Sequence, residues 1–329
     1  MHHFRLGLLP ALALVAACSS EPVSGTSTSS SGGGASSSSS GGGSSSSSSG
    51  GSSGELDAGA DAGFPDPLAG VAAPTELRAG FQFTEGPLWF GTKLLVSDIP
   101  ANKIFEITPP ATDAVVFRDP SNGTNGNALG PAGELYSCEG SAGRITKTVG
   151  GVVTAVATTF GGARLNSPND IIVRKDGNVY FTDPNYYGNT QPKQNVFRIA
   201  PGGALTVVDD AIQKPNGVAL SPSGNILYVT SAQDGYINAY PVMADGSVGA
   251  KTKFVDVPSP DGIAVDDAGN VYVASTKVEV FRPDGTKVGS LTVPQQPANV
   301  AFGGADRKTL YITARTAVYQ TRVNVPGPP

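Results

Sequence analysis

One short pattern recurs six times along this chain at a spacing of about 43 residues, and few folds can be built from such a unit. A Gly- or Asp-containing turn is followed by an apolar or aromatic run that ends in small polar residues. The copies are Lys93-Leu94-Leu95-Val96-Ser97-Asp98, Glu134-Leu135-Tyr136-Ser137, Asn178-Val179-Tyr180-Phe181-Thr182-Asp183, Ile226-Leu227-Tyr228-Val229-Thr230, Asn270-Val271-Tyr272-Val273-Ala274 and Thr309-Leu310-Tyr311-Ile312-Thr313. With the second apolar residue as anchor, positions 95, 136, 180, 228, 272 and 311 are 41, 44, 48, 44 and 39 residues apart. Further β-type runs lie between anchors, such as Lys103-Ile104-Phe105-Glu106-Ile107 and Val196-Phe197-Arg198-Ile199. No stretch keeps a helical period over three turns.

Units of 40 to 45 residues with four short strands are the mark of a propeller blade. A β-helix has much shorter coils, and a sandwich does not repeat six times. The sequence therefore predicts an all-β fold, a six-bladed β-propeller with a central metal-binding channel, over residues 71–329. Thr75-Glu76-Leu77-Arg78-Ala79 precedes the first full unit. It is expected to supply the outer strand of the last blade, which removes a free edge.

Ten to twelve residues before each anchor stands a short polar motif: Glu85-Gly86-Pro87, Asn125-Gly126, Pro168-Asn169-Asp170, Pro215-Asn216-Gly217, Pro260-Asp261-Gly262 and Pro297-Ala298-Asn299. Each precedes or opens an apolar run that would form the innermost strand. Asn-Gly and Asp-Gly are turn formers, and any one motif alone reads as a turn. Their fixed phase argues otherwise, since hairpin turns are already supplied by Asp176-Gly177, Ser223-Gly224 and Asp284-Gly285. In a closed ring, Glu85, Asn125, Asn169, Asn216, Asp261 and Asn299 converge on the axis. Two carboxylates among them, Glu85 and Asp261, carry the charge that one divalent cation neutralises. A hard ion takes carboxylate and amide oxygens without needing sulfur or imidazole. Ca2+ is the first expectation, with Zn2+, Mn2+ and Fe2+ as other candidates.

The ends and the composition narrow the chemistry further. Leu6 to Ala17 form an apolar run of signal-peptide length, closing on Val15-Ala16-Ala17-Cys18. This resembles a lipobox, so residues 1–18 are expected to be a lipoprotein signal peptide with Cys18 acylated. Residues 19–70, nearly all Ser and Gly at first, read as a disordered tether with an r.m.s. reach of roughly 35–42 Å. A lipid-anchored protein of the cell envelope, at the outer membrane and facing periplasm or surface, is the resulting expectation. The full chain carries 22 basic and 27 acidic residues with no basic run, which gives no basis for nucleic-acid binding. No protein partner is implied. Beyond Cys18 the only cysteine is Cys138, read as a buried small hydrophobe. The only histidines are His2 and His3, so the propeller has no Ser-His-Asp triad, Cys-His pair or His-based zinc site.

The ordered motifs Glu85-Gly86-Pro87-Leu88-Trp89, Leu165-Asn166-Ser167-Pro168-Asn169-Asp170, Tyr180-Phe181-Thr182-Asp183-Pro184, Pro215-Asn216-Gly217 and Asp261-Gly262 resemble the senescence-marker-protein, gluconolactonase and luciferin-regenerating-enzyme family. Ala301-Phe302-Gly303-Gly304 with Thr309-Leu310-Tyr311-Ile312-Thr313-Ala314 looks like its bacterial gluconolactonase branch. The resemblance implies a metal held by Glu85, Asn216 and Asp261, with Asn169 a further ligand or a substrate contact. It implies hydrolysis of a small-molecule lactone, with Asp261 in the acid/base role beside the ion. Asp261 would activate a water or attack the carbonyl directly; both routes stay open. Asn125 and Tyr187 are candidate substrate contacts, and Asn299 a channel-lining residue. The chain departs from the family at Cys138-Glu139-Gly140, where many relatives have Cys-Glu-His, at Gly130, and at Ala298. Asp98 and Asp183 are expected to bond turn backbone, and Trp89 to lie in the core. A phosphotriesterase-like hydrolase and a non-enzymatic ligand-binding propeller are the alternatives.

Overall fold

The computed structural model describes residues 63–329. The expected leader, Cys18 and most of the expected tether lie outside the described residues. Among the described residues every regular element is a strand. They form six four-stranded antiparallel sheets, covering residues 84–118, 124–157, 171–209, 215–256 and 263–291, then 299–322 completed by 75–79, and one separate two-stranded hairpin of Thr159–Phe160 and Ala163–Arg164. We number these blades 1 to 6. The innermost strands are Thr84–Phe90, Thr124–Leu129, Ile171–Val173, Pro215–Leu220, Ile263–Val265 and Asn299–Gly303. Each packs beside the next, and the sixth packs back against the first, so the ring is closed.

Closure is made as the sequence predicts. Thr75–Ala79 pairs antiparallel with Ala317–Arg322, running from Thr75 opposite Gln320 to Ala79 opposite Ala317. Blade 6 is thus built from both ends of the domain, and the two ends fasten the ring by one ladder of backbone hydrogen bonds.

All six anchors fall on the second strand of their blade. Blades stack face to face, so these strands are covered on both sides, and Val179–Asp183 and Ile226–Ser231 are buried along their whole length. This is why the anchors read as continuous apolar runs and not as alternating ones. The core lies between blades. Cys138 and Ile145 of blade 2, for example, pack against Phe181 and Phe197 of blade 3. Cys138 is a fully buried free thiol, as expected. Trp89 is only partly buried, and stacks on Tyr311 at 5.6 Å across the blade 6–blade 1 seam.

Candidate active site

Small polar residues that end three of the anchor runs fix the phase of the following polar motifs. Thr182 in blade 3 accepts the Asp170 N–H at 3.0 Å and donates its hydroxyl to the Asn216 carbonyl of blade 4 at 2.6 Å. Thr230 in blade 4 accepts the Gly217 N–H at 2.7 Å and donates to the Asp261 carbonyl of blade 5 at 2.9 Å. Ser97 in blade 1 donates to the Asn125 carbonyl of blade 2 at 2.7 Å. Each hydroxyl is fully buried and holds the motif residue of the following blade by its backbone.

The glycines of these motifs serve the same approach. A Cβ on Gly217 would stand 2.4 Å from the Asp261 carbonyl oxygen, and one on Gly262 2.0 Å from Asn299 Cγ. One on Gly126 would stand 2.7 Å from the Asn169 carbonyl oxygen. All three have ordinary φ, so they are not turn glycines; they are glycines because the next blade touches them around the axis. Blades 3 and 6 break the pattern, with Asp170 and Val300 in the equivalent positions.

Asp170 corrects the expectation of two channel carboxylates. It is buried, and its Oδ2 accepts the Val218 N–H of blade 4 at 3.1 Å. Burial raises its pKa to about 7 against the opposing pull of the Val218 and Ile171 N–H groups and the Asn299 side chain. The channel therefore holds three mutually interacting carboxyls. Glu85 is pushed well above its usual range by burial first, then by Asp261 and Asp170; Gly86 N–H and Asn299 counter this. Asp261 rises to about 7 through burial and Asp170, with the Asn216 side chain and the Arg315 cation pulling the other way. The sequence carried a signal for Asp170, since it is a carboxylate where four other blades have glycine.

Four of the six predicted residues show their convergence in side-chain contacts. Glu85 and Asp261 sense each other's charge, Asn216 bonds Asp261, and Asn299 bridges Glu85 and Asp170. Asn169 lies in the same ring, buried beside Asp170, with its carbonyl accepting the Gly126 N–H at 2.7 Å. Two acceptors in the ring, Asp261 Oδ1 and Asn125 Oδ1, are buried and have no hydrogen-bond donor. Buried oxygens without a donor, among carboxyls that repel one another, fit a bound cation. Among the described residues no three His, Cys, Asp or Glu side chains form a metal cluster. The oxygens around the axis are mixed, three carboxyls with carboxamides.

Above the ring lies the loop that carries Tyr186 and Tyr187, folded by the motif preceding Asn169. Asn166 Oδ1 accepts the N–H groups of Thr190 at 2.9 Å and Gln191 at 2.8 Å, and Ser167 Oγ accepts that of Tyr187 at 3.0 Å. Tyr186, read from the sequence as sharing a loop near the channel mouth with Tyr187, reaches in. Asn216 Nδ2 donates to its hydroxyl at 3.0 Å, and Lys214 lies 5.9 Å from its ring centroid. Burial and the Asp261 carboxylate raise the Tyr186 pKa, so its phenol stays protonated at neutral pH. Tyr187, on the same loop, is half-exposed; partial desolvation and the Glu85 charge raise its pKa.

Residues 83–316 match the family described as SMP-30/Gluconolactonase/LRE-like region. The chain belongs to this family. It is similar to the gluconolactonase of Zymomonas mobilis, 31% identical over 304 residues that cover 80% of this chain and 85% of that protein. It is also similar in structure to a gluconolactonase of Xanthomonas campestris, with a TM-score of 0.72 and 29% identity over 80% of this chain and 96% of that one.

Asp98 accepts the N–H groups of Gln82 at 2.9 Å and Phe83 at 3.1 Å, and Asp183 those of Asn166 at 2.9 Å and Ser167 at 2.8 Å. Both therefore hold turn backbone, as predicted. Glu139 is fully buried and engaged by Arg118, Arg144 and Asn122. Gly140 lies under Tyr187; a Cβ there would stand 3.1 Å from Tyr187 Cε2.

Proposed function

We propose that this protein is a metal-dependent lactonase that opens a sugar lactone in the channel, with Asp261 as its general base. The observation that carries the proposal is Asp261 Oδ1, buried without a partner and surrounded by Glu85, Asp170 and Asn216. Glu85, Asn216 and Asp261 would hold one divalent ion, Ca2+ by the hardness of the donors, with Asn169 completing the set. When bound, the ion supplies Lewis-acid polarisation of the lactone carbonyl and positive charge for the developing oxyanion.

The chain's own residues supply the rest. The Asp261 carboxylate takes a proton from the attacking water, and the Arg315 cation favours the ionised form this requires. The new bond joins the water oxygen to the carbonyl carbon, the ring C–O bond breaks, and a proton passes to the departing ring oxygen. Asn125 and Asn169 offer amide groups to the lactone hydroxyls, and the Tyr186 phenol lies beside Asn216 at the same mouth. The propeller would act from the cell envelope, tethered through lipid on Cys18, a reading supported only by the sequence context of that cysteine.

Metal analysis of the purified protein, coupled to a pH-stat assay on glucono-1,5-lactone with and without chelator, tests the proposal. Expected are one divalent ion per chain, loss of turnover on chelation, and loss of turnover in a folded Asp261→Asn variant. Full activity in the chelated protein would sink the metal, and full activity in Asp261→Asn would remove the base.

A further inference from the structure

Beside the metal ring the channel mouth widens into a cavity of about 610 Å3 over blades 1 and 2, walled by Ile99, Pro100, Asn102, Asn122, Ser141 and Tyr187. These loops leave the same ends of the sheets that carry Glu85 and Asn125. Thr84 pairs with Asp98, just before Ile99, and Thr124 pairs with Glu139, just before Ser141. Tyr187 joins the two spaces. Its ring lies over Gly140, whose Cβ position also meets the carbonyls of Gly123 on the cavity wall and of Pro168 next to Asn169, each at 3.3 Å. Its phenol feels the charge of Glu85.

We propose that this cavity is a subsite for a sugar unit linked glycosidically to the lactone, so that the natural substrates are glycosylated aldonolactones. The inference rests on the lactonase reading and deepens it. The cavity lies within the range of clefts that enclose a drug-sized ligand, and a single six-membered lactone at the metal ring leaves it unfilled. None of its walls carries a charge, which selects a neutral occupant. Tyr187, 54% exposed, stands with Ile99 and Pro100 as an apolar wall for the C–H face of a sugar ring. The polar groups opposite are fixed in orientation. Asn102 Oδ1 is used by the Gly123 N–H at 2.9 Å, leaving its Nδ2 as donor. Asn122 Nδ2 is used by Glu139 at 3.0 Å, leaving its Oδ1 as acceptor. Ser141 Oγ offers both functions. Preorganised donors and acceptors of this kind match a rim of hydroxyls at small entropic cost.

The reaction is unchanged: water adds to the lactone carbonyl, the ring C–O bond breaks, and the glycosidic bond is not touched. The test compares kcat/KM for glucono-1,5-lactone with cellobiono- and maltobiono-1,5-lactone in the metal-loaded protein. At least one of the disaccharide lactones is expected to be preferred by about tenfold or more, the scale of one added pocket contact. Tyr187→Ala, which removes the apolar wall, and Ala142→Trp, which puts a bulky side chain on a residue that also lines the cavity, should each return that ratio towards one. Circular dichroism and thermal melting establish that both variants are folded. Hydrolysis of gluconolactone with no preference for either disaccharide lactone overturns the subsite alone, as does a preference that survives both variants. Hydrolysis of none of the three lactones overturns the lactonase reading instead.

Discussion

Gly217→Ala is the most direct probe of how the ring is assembled. Gly217 follows the proposed ligand Asn216 and has no positive φ, so alanine meets no backbone penalty there. The obstacle is space alone. The new Cβ would stand 2.4 Å from the Asp261 carbonyl oxygen and 2.9 Å from Gly262 Cα, where ordinary contact begins at 3.4 Å. Both neighbours are backbone atoms and cannot rotate away. Blades 4 and 5 must therefore separate by about 1 Å at the base of the proposed catalytic carboxylate. Overpacking of this kind costs typically about 1–3 kcal/mol of stability. A misplacement of about 1 Å lowers catalysis by roughly 100-fold. The assay is kcat/KM on gluconolactone together with calorimetric melting and calorimetric titration of the divalent ion. Gly202→Ala, with nothing within 4 Å of its Cβ, is the matched control and should change neither. Wild-type activity and melting temperature in Gly217→Ala would refute the claim that these glycines exist for the contact between blades.

Thr230→Val removes the hydroxyl that accepts the Gly217 N–H and donates to the Asp261 carbonyl; these two groups also bond each other directly at 3.2 Å, so the loss should be about 0.5–1.5 kcal/mol, read as a melting temperature lower by a few degrees. Metal-free protein should lose stability as pH rises from about 4 to about 7. Asp170, Asp183 and Asp261 have folded pKa values raised to about 7, so the native state holds their protons through that window and the unfolded chain does not. Urea midpoints of chelated protein measure this; a midpoint that climbs across the window contradicts it, and added cation should cancel the fall by binding the ionised carboxylates. Cys18→Ser should abolish incorporation of labelled palmitate and release the protein from the membrane fraction, and unchanged labelling would remove the anchor.

Much of the architecture was legible because it repeats. Buried second strands need apolar residues six times over, and Ser97, Thr182 and Thr230 at the ends of three of them hold the following blade, so both left a trace in the sequence. The motif residues were legible through the same period, since equivalent positions in a closed ring must share an axis. Tyr186 left no such trace. It sits in one loop of one blade, and its approach to Asn216 depends on how Asn166 and Ser167 fold that loop. Asp170 was printed in the motif but was masked by Asn169 beside it; only the direction of its carboxylate, towards Val218 N–H, brings it into the channel.

The amino-acid sequence by itself determined the blade count, the strand that closes the ring, and the presence of oxygen donors at one height around the axis, because periodic burial writes itself into residue types. Tertiary structure alone decided which oxygens are left without a donor, that three carboxyls and not two share the channel, and that a neutral cavity opens beside Tyr187. Those properties depend on distances between blades far apart in the chain, and no local pattern encodes them.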